Sequence, residues 1–230
     1  MTDRIMNRRH FIGAATAGLG ALAADGAMGR SGRGDPIAPY RTPYKYPKLV
    51  LAGSGVKGSF DEKLVDCPFV FSHEGRFCMT YVGWDGTGYQ TGLAESDDLV
   101  NWRRKGIILA RNPDDPITRY NIASASILRE NDLMSPGRLI KVDGHYVCAW
   151  HAYPGTGYEA GPAVIGLAYS KDLMHWEKSP PILFPDGGAP WEEGGLYKPY
   201  LMKVGRTYYL FYNAKTKGEP WHEQTGLATS

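Results

Sequence analysis

Carboxylate side chains precede a proline or a glycine at three points of the chain, each close to the start of an apolar segment. The three stretches are Asp66-Cys67-Pro68, Asp132 to Pro136 and Glu192-Glu193-Gly194. Two carboxyl groups held close together take different roles, because repulsion between like charges raises the pKa of one and keeps it protonated. Such a pair supplies a general acid and a general base. These residues therefore indicate acid–base chemistry at a site assembled from distant segments.

Other kinds of reaction centre have no counterpart in the sequence. There is no Gly-x-Ser-x-Gly elbow, no Cys/His pair at zinc spacing, and no haem, iron–sulfur or dinucleotide motif. The stretch Gly53–Ser59 resembles a phosphate loop but lacks the Gly-Lys-Ser/Thr ending, so we interpret it as an ordinary loop. We therefore expect no catalytic metal and no organic cofactor.

The composition is typical of a globular protein rich in turns and strands. With 43% hydrophobic, 12% aromatic and 22% charged residues, the chain is neither disordered nor a coiled coil. The 29 glycines, 16 prolines and 15 tyrosines favour tight turns between aromatic strands. The net charge is +2, and arginines near the N-terminus account for it, so the rest of the chain is near neutral. Neither nucleic acid nor an anionic membrane is an expected partner.

The N-terminus predicts an export signal. Arg8 and Arg9 precede Phe11 and the mildly apolar run Ala14–Ala24, which matches a twin-arginine signal and is too short to span a bilayer. We expect a signal peptide over 1–27, a Gly- and Pro-rich leader over 28–47 and a folded domain over 48–230. The predicted location is periplasmic or secreted, with no membrane contact after cleavage.

The three cysteines are an odd number for an oxidising compartment. Cys78 and Cys148 lie in apolar, strand-like runs, where cysteine usually packs as a small buried hydrophobe. A bridge between Cys67 and Cys78 is the alternative left open.

A sequence repeat gives the clearest indication of the fold. A Gly-Leu-Ala-x-Ser motif begins at Gly92, Gly166 and Gly226, and an Asp-Leu-x-x-Trp turn ending at Trp102 or Trp176 follows the first two copies. An apolar segment, a glycine turn and an aromatic alternating strand precede each copy. Four short antiparallel strands per unit are typical of a propeller blade. In each turn the Asp is expected to cap backbone amides and the Trp to pack between blades.

The repeat also predicts blade boundaries. We expect blade one over Leu64–Ala110, blade two over Ser135–Phe184 with its first strand at Pro136–Val142, and the start of blade three near Leu196. A propeller needs at least four blades to close, so about two and a half blades are expected in this chain.

The segment Leu64–Ser230 resembles the five-bladed propeller glycosidases, a group that includes glycoside hydrolase family 43 and the invertase-like enzymes. The resemblance rests on Asp66-Cys67-Pro68, on the Ser-x-Asp-Leu-x-x-Trp turns and on Trp191-Glu192-Glu193-Gly194. It implies an all-β, five-bladed β-propeller, truncated here to about two and a half blades, with a pocket at the propeller axis. Some members hold a structural Ca²⁺, although this sequence has no dedicated calcium loop.

The resemblance also implies roles for the carboxylates. Asp66 matches the family's base or nucleophile, and Glu193 matches its general acid, with neighbouring Glu192 as the alternative. Asp132 is the candidate for the blade-two carboxylate that tunes the acid, and Glu159 is its alternative. Because Asp66 and Glu193 open blades separated by a whole blade, we expect inversion, for which carboxyl groups lie about 6.5–9.5 Å apart.

Further residues at the ends of strands are expected to contact the sugar, since neutral His and Asn side chains both donate and accept hydrogen bonds. These residues are Trp84, Asp85, His151, Glu159, Lys198 and Asn213. The expected function is that of a secreted glycoside hydrolase, arabinofuranosidase- or xylosidase-like, acting on oligo- or polysaccharides. The alternatives are a non-catalytic carbohydrate-binding propeller and a glycoside phosphorylase with Lys198 and Lys215 as phosphate ligands.

Overall fold

The structure is a computed structural model that describes residues 45–132 and 135–230. The predicted signal peptide and nearly all of the predicted leader lie outside the described residues, whereas Leu49–Ser230 fold as one unit. The described part contains twelve β-strands and no α-helix. Among these residues there is accordingly no helix long and apolar enough to cross a membrane.

The strands form three antiparallel sheets that follow one another along the chain. Blade 1 contains β1 (Leu64–His73), β2 (Arg76–Trp84), β3 (Tyr89–Ser96) and β4 (Arg103–Leu109). Blade 2 contains β5 (Ala123–Ile127), β6 (Lys141–Val142), β7 (His145–Ala152), β8 (Val164–Ser170) and β9 (Trp176–Leu183). Blade 3 contains β10 (Gly195–Val204), β11 (Thr207–Lys215) and β12 (Glu223–Thr229). This succession of meanders confirms the predicted all-β propeller class.

The Gly-Leu-Ala motif is explained by a contact that recurs in each blade. The glycine lies opposite an aromatic residue of the second long strand, and the pairs are Tyr81 with Gly92, Trp150 with Gly166 and Tyr212 with Gly226. A Cβ atom on Gly166 would lie 2.1 Å from the Trp150 ring, and one on Gly226 would lie 2.3 Å from the Tyr212 ring. Real side chains do not approach so closely, so the ring occupies the space that any other residue would need.

Packing between neighbouring blades buries a row of mainly apolar side chains that runs across the strands of a sheet. In blade 1 one row is buried by residues of blade 2, and its exposed fractions are 9% for Phe69, 0% for Thr80 and 3% for Leu93. The matching row of blade 3 has the same cross-strand pairing, with exposed fractions of 36% for Tyr200, 39% for Phe211 and 49% for Leu227. Burial of this row therefore depends on packing against another blade.

Blade 2 begins earlier than the sequence predicted, so the expected boundary at Ser135 is wrong. Its innermost strand is β5, which pairs with β7, whereas only Lys141–Val142 of the expected Pro136–Val142 strand pairs there. A loop separates β5 from β6, and the amide of Ile140 donates to the carbonyl of Leu128 at 3.0 Å across its base. The prediction failed because β5 carries small Ala and Ser residues that fit between two blades and lacks an aromatic, alternating pattern.

The Asp residues of the Asp-Leu-x-x-Trp turns cap backbone amides as predicted. Trp176 packs in the core between blades 1 and 2, whereas Trp102 packs against residues of blade 1 and the segment before it, so packing between blades is confirmed for Trp176 alone of the two. Asp98 Oδ1 accepts hydrogen bonds from the amides of Val100 and Asn101, at 2.9 and 2.7 Å, and Trp102 Nε1 donates to the carbonyl of Leu99 at 3.0 Å. The second turn repeats these bonds from Asp172 to Trp176. Bonds from the Asn101 amide and side chain hold the pKa of Asp98 well below its usual range. The capping role is therefore structural.

The three cysteines are free thiols, so the bridge between Cys67 and Cys78 is not formed. Cys78 and Cys148 are buried in the interface between blades 1 and 2, as the sequence predicted.

The two equivalent leucines provide a matched test of blade packing. We expect Leu93→Ala to lower the free energy of unfolding by about 2–5 kcal/mol, because it leaves a cavity between blades. Leu227→Ala, at the same register position of blade 3, should cost less than about 0.5 kcal/mol. Urea denaturation of both variants measures the difference. Equal losses would contradict the assignment of Leu227 to an uncovered row.

Candidate active site

One level near the start of each innermost strand is equivalent in the three blades. In each blade we define this level by two paired residues. One directly follows the aromatic residue that lies opposite the motif glycine, and the other is its partner on the innermost strand. The pairs are Asp66 with Val82, Ala123 with His151 and Tyr197 with Asn213. Only one of the three innermost positions therefore carries a carboxylate. Any second carboxylate must come from a loop or from another strand.

A β-bulge lies at this level in each innermost strand. The register shifts between Asp66 and Phe69, between Ser124 and Ser126 and between Tyr197 and Tyr200. Two residues in these bulges, Cys67 and Lys198, have positive φ angles of 50° and 48°. Bulges redirect side chains and are common beside active sites. The shared bulge marks this level as the place where the blades present side chains for function.

Rings from all three blades form a continuous series at this level, which we call the ring series. Its members are Trp84, Tyr158, Tyr89, His151, Tyr153 and Tyr197. Consecutive ring centroids are 5.8 to 6.4 Å apart. Aromatic faces and edges of this kind give a sugar ring apolar contact area, while tyrosine hydroxyls supply hydrogen bonds.

Asp66 is tied to the ring series by a hydrogen bond. The Tyr158 hydroxyl donates to Asp66 Oδ2 at 3.3 Å, and the amide of Cys67 donates to Asp66 Oδ1 at 2.6 Å. Desolvation and the charge of Asp66 raise the pKa of Tyr158 to about 12. Tyr158 therefore stays protonated at neutral pH and remains a donor to the exposed Asp66 carboxylate.

Glu159 follows Tyr158 on the loop between β7 and β8. We call the carboxyl groups of Asp66, Glu159 and Glu223 the carboxylate cluster. Glu159 is half-buried and has a φ of +57°, in the left-handed region that non-glycine residues rarely adopt. Burial, the Asp66 charge and, more weakly, the Glu159 charge raise the pKa of the Cys67 thiol to about 11, against a smaller opposing effect of Lys198. The pKa of this thiol thus depends on the charges of Asp66, Lys198 and Glu159.

Two lysines of blade 3 flank the ring series. Lys198 Nζ lies 6.0 Å from the centroid of Tyr197, and Lys215 Nζ lies 5.4 Å from that of Tyr153 and 5.2 Å from that of Trp221. Such cation–π contacts orient the ammonium groups over the rings. The arrangement places positive charge beside the Tyr197 and Tyr153 rings.

His151 lies at the centre of the ring series and is buried. Burial, and then the positive charge of Lys198, lower the pKa of His151 to about 3, so the imidazole is neutral at physiological pH. Its Nδ1 and the Tyr153 hydroxyl are buried without a hydrogen-bond partner among the described residues. Buried polar atoms are normally paired, so these two are exceptions, and both lie beneath the surface of the ring series, with exposed fractions of 5% for His151 and 0% for Tyr153.

The structure gives Glu192 and Glu193 different surroundings. Glu192 is engaged in the fold, because it accepts from the amide of Ala189 at 3.0 Å and from the Tyr212 hydroxyl at 3.1 Å. Glu193 is exposed, four positions before Tyr197, and its side chain has no bond or ion pair to another described residue. Both lie in a turn ahead of β10.

Asp132 is not brought together with Asp66. It lies in the loop between β5 and β6, and Arg138 of this loop bridges to Ser72 near the far end of β1. Asp66 lies near the opposite, starting end of that strand. Glu159, the alternative for the blade-two carboxylate, directly follows Tyr158, whose hydroxyl donates to Asp66.

The remaining predicted contacts divide into two groups. Asp85 closes a turn: it accepts from the amides of Thr87 and Gly88 at 2.8 and 3.1 Å and pairs with Arg111 at 2.6 Å. Trp84 belongs to the ring series, and Asn213 lies half-buried opposite Tyr197.

The sequence reasoning missed Tyr89, Tyr158, Tyr197 and Glu223. The Tyr197 hydroxyl donates a hydrogen bond to Glu223 at the start of β12, so blade 3 adds a third carboxylate to the cluster. Glu223 and Tyr89 each stand three residues before a motif glycine. Their shared position in the aligned repeats was the signal that could have identified both residues.

A cavity of about 620 Å³ lies elsewhere, between blades 2 and 3. Its walls are mainly apolar and include Leu167, Leu201 and Leu210, with no residue of the carboxylate cluster. Within the described ranges, no three His, Cys, Asp or Glu side chains are grouped as ligands for a metal ion. The chemistry of the described part is therefore concentrated at Asp66 and the ring series.

Comparisons with known proteins find structures of similar fold, among them glycoside hydrolases. The structure of a BT0996 RGII complex has 30% identity and a TM-score of 0.68, and the match covers 82% of this chain and 58% of that protein. A structure described as "Glycoside hydrolase" has 28% identity and a TM-score of 0.62, covering 71% and 53%. No protein-family model matches.

A curated relative comes from Thermoanaerobacter sp. (strain X514). It is a 1,2-beta-oligomannan phosphorylase, 29% identical over 152 residues, which are 64% of this chain and 41% of the relative. The chain thus spans between two fifths and three fifths of the length of these proteins. The similarity supports a glycosidase-like propeller, and the membership of family 43 stays a prediction.

The turn closed by Asp85 allows a structural role to be separated from sugar binding. Burial raises the pKa of Asp85, but the Thr87 and Gly88 amides and Arg111 outweigh it and lower the pKa overall. The ionised form therefore stabilises the fold above its unfolded pKa of about 3.9, and this stabilisation is lost as the pH falls further. We expect Asp85→Asn to lower the free energy of unfolding at pH 7 by about 2 kcal/mol. Thermal melts should show the deficit shrinking below about pH 4. An unchanged melting temperature with weaker sugar binding would contradict the structural role.

Proposed function

We propose that this protein cleaves glycosidic bonds by hydrolysis, with Asp66 and Glu159 as the reacting carboxyl groups. The proposal rests on the hydrogen bond between Tyr158 and Asp66, which brings the loop carrying Glu159 over the start of β1. Similarity to a glycoside hydrolase structure and to a phosphorylase supports a glycoside as the substrate. Arabinofuranosides and xylosides are the substrates predicted from the sequence.

In the proposed reaction Asp66 acts as the base. It removes a proton from a water molecule as the water oxygen attacks the anomeric carbon, and the bond to the leaving oxygen breaks. Glu159 in its protonated form gives a proton to that oxygen. Inversion at the anomeric carbon stays a prediction, and the anomer of the first product, followed by proton NMR, tests it.

The ring series accounts for substrate binding in this proposal. Tyr158 is more than half exposed and presents its ring beside Asp66, so a sugar at the reacting position stacks against it. The neutral His151 imidazole at the centre of the ring series adds no charge beneath the bound sugar.

Phosphorolysis is the second candidate, because Lys198 and Lys215 lie at the same cluster and one relative is a phosphorylase. In that reaction phosphate replaces water as the attacking group. The two ammonium groups are outnumbered by the three carboxylates of the carboxylate cluster, Asp66, Glu159 and Glu223. This balance disfavours a dianion, so hydrolysis is the preferred proposal.

Substitution of the carboxylates tests the proposed pair. We expect Asp66→Asn and Glu159→Gln each to lower kcat on aryl glycosides by about 10²–10⁴-fold, with unchanged melting temperature. Glu159→Gln should lose less activity on substrates with acidic phenol leaving groups, which need no proton. Glu193→Gln is the matched control and should keep most activity. If Glu193→Gln is inactive while Glu159→Gln is active, Glu193 is the acid.

The choice between water and phosphate is measured on the same substrates in the presence and absence of inorganic phosphate. We expect equal rates and free sugar as product. Lys198→Ala should change KM by no more than the control Lys203→Ala, which alters a lysine farther along the same strand. A rate that requires phosphate, yields a sugar phosphate and falls with Lys198→Ala would establish phosphorolysis instead.

A further inference from the structure

Asn121 lies immediately before blade 2 and is fully buried. Its side chain bonds to two other parts of the fold. Oδ1 accepts a hydrogen bond from the amide of Tyr89 in blade 1 at 3.0 Å. Nδ2 donates to the carbonyls of Tyr153, Gly155 and Gly157 at 3.3, 3.1 and 3.2 Å. The amide group therefore connects the start of β3 to the loop over residues 154–162.

Both N–H groups of the Asn121 side chain are engaged in hydrogen bonds. An amide has two N–H groups, and three carbonyls lie within reach, so at least one N–H is shared between two of them. The residue next in sequence strengthens the link, because the amide of Ile122 donates to the carbonyl of Tyr89 at 3.0 Å. A single side chain thus holds three carbonyls at the start of the loop against blade 1.

The loop held by Asn121 needs such support. One bond within it, from the amide of Gly155 to the carbonyl of Ala160 at 2.8 Å, closes its base. Glu159 adopts a φ of +57°, a strained conformation that persists only where the surroundings impose it. The carbonyls that Asn121 binds end at Gly157, two residues before Glu159. The side chain therefore acts on the part of the loop that determines where Glu159 stands.

We propose that Asn121 is a positioning residue, which fixes the loop of residues 154–162 and thereby sets the position of Glu159, next to the tyrosine that donates to Asp66. The assignment rests on the proposed function for the role of Glu159. In this proposal a buried side-chain amide, outside the reacting carboxyl groups, joins blade 1, which carries Asp66, to the loop of blade 2.

Asn121→Asp tests the proposal with minimal change of shape. The carboxylate can still accept from Tyr89, but its second oxygen faces three carbonyl oxygens and repels them. We expect amide hydrogen exchange in residues 155–161 to rise at least about tenfold, with exchange in β11 unchanged. We also expect kcat to fall about 100-fold with little change in KM, because the substrate still binds while the acid is misplaced.

Ser170→Ala is the matched control, since it removes another buried side chain that accepts from two amides, those of Asp172 and Leu173, at the far end of β8. It should lower the melting temperature without changing loop exchange or kcat. In a Glu159→Gln background, Asn121→Asp should cause no further loss of kcat, because both act through one group.

The two readouts separate the proposal from the function on which it rests. Unchanged exchange in residues 155–161 overturns the positioning role, whatever the activity. A loss of kcat that multiplies with that of Glu159→Gln also overturns it. If the native protein has no glycosidase activity, the proposed function fails, and increased exchange still establishes Asn121 as the support of the loop.

Discussion

The contact between an aromatic ring and a glycine on the next strand is the constraint on which this fold depends. Because the ring fills the space of a Cβ atom, each blade fixes the register of its two central strands at that point. The register then sets the level of the residue that follows the ring. Val82, His151 and Asn213 occupy this level and face Asp66, Ala123 and Tyr197 of the innermost strands.

The fold could be predicted from the sequence wherever a local pattern was repeated. The motif glycines and the Asp-Leu-x-x-Trp turns carry strong short-range signals, and both formed as expected. The first strand of blade 2 was missed because β5 is built from small residues, and because a loop separates it from β6. Long-range packing between blades selects such a strand, and no pattern within five residues records it.

The candidate site was harder to predict because it departs from the repeat. Asp66 was identified from its place before Pro68, whereas equivalent positions in the other blades hold Ala123 and Tyr197. The carboxylate next to Asp66 comes from the loop that carries Glu159, and a loop conformation with positive φ leaves little trace in composition. Asp132 was predicted from its place before Pro136, but both residues lie in the loop between β5 and β6, which contacts the far end of β1.

The equivalence of the three innermost positions also bears on how such a protein diverges. Each blade has an aromatic ring opposite its motif glycine, so the fold places few constraints on the innermost residue at the level that follows the ring. Asp66, Ala123 and Tyr197 are three different outcomes at that residue within a shared framework. The repeated framework thus leaves one position in each blade where the side chain can differ while the contact between ring and glycine is kept.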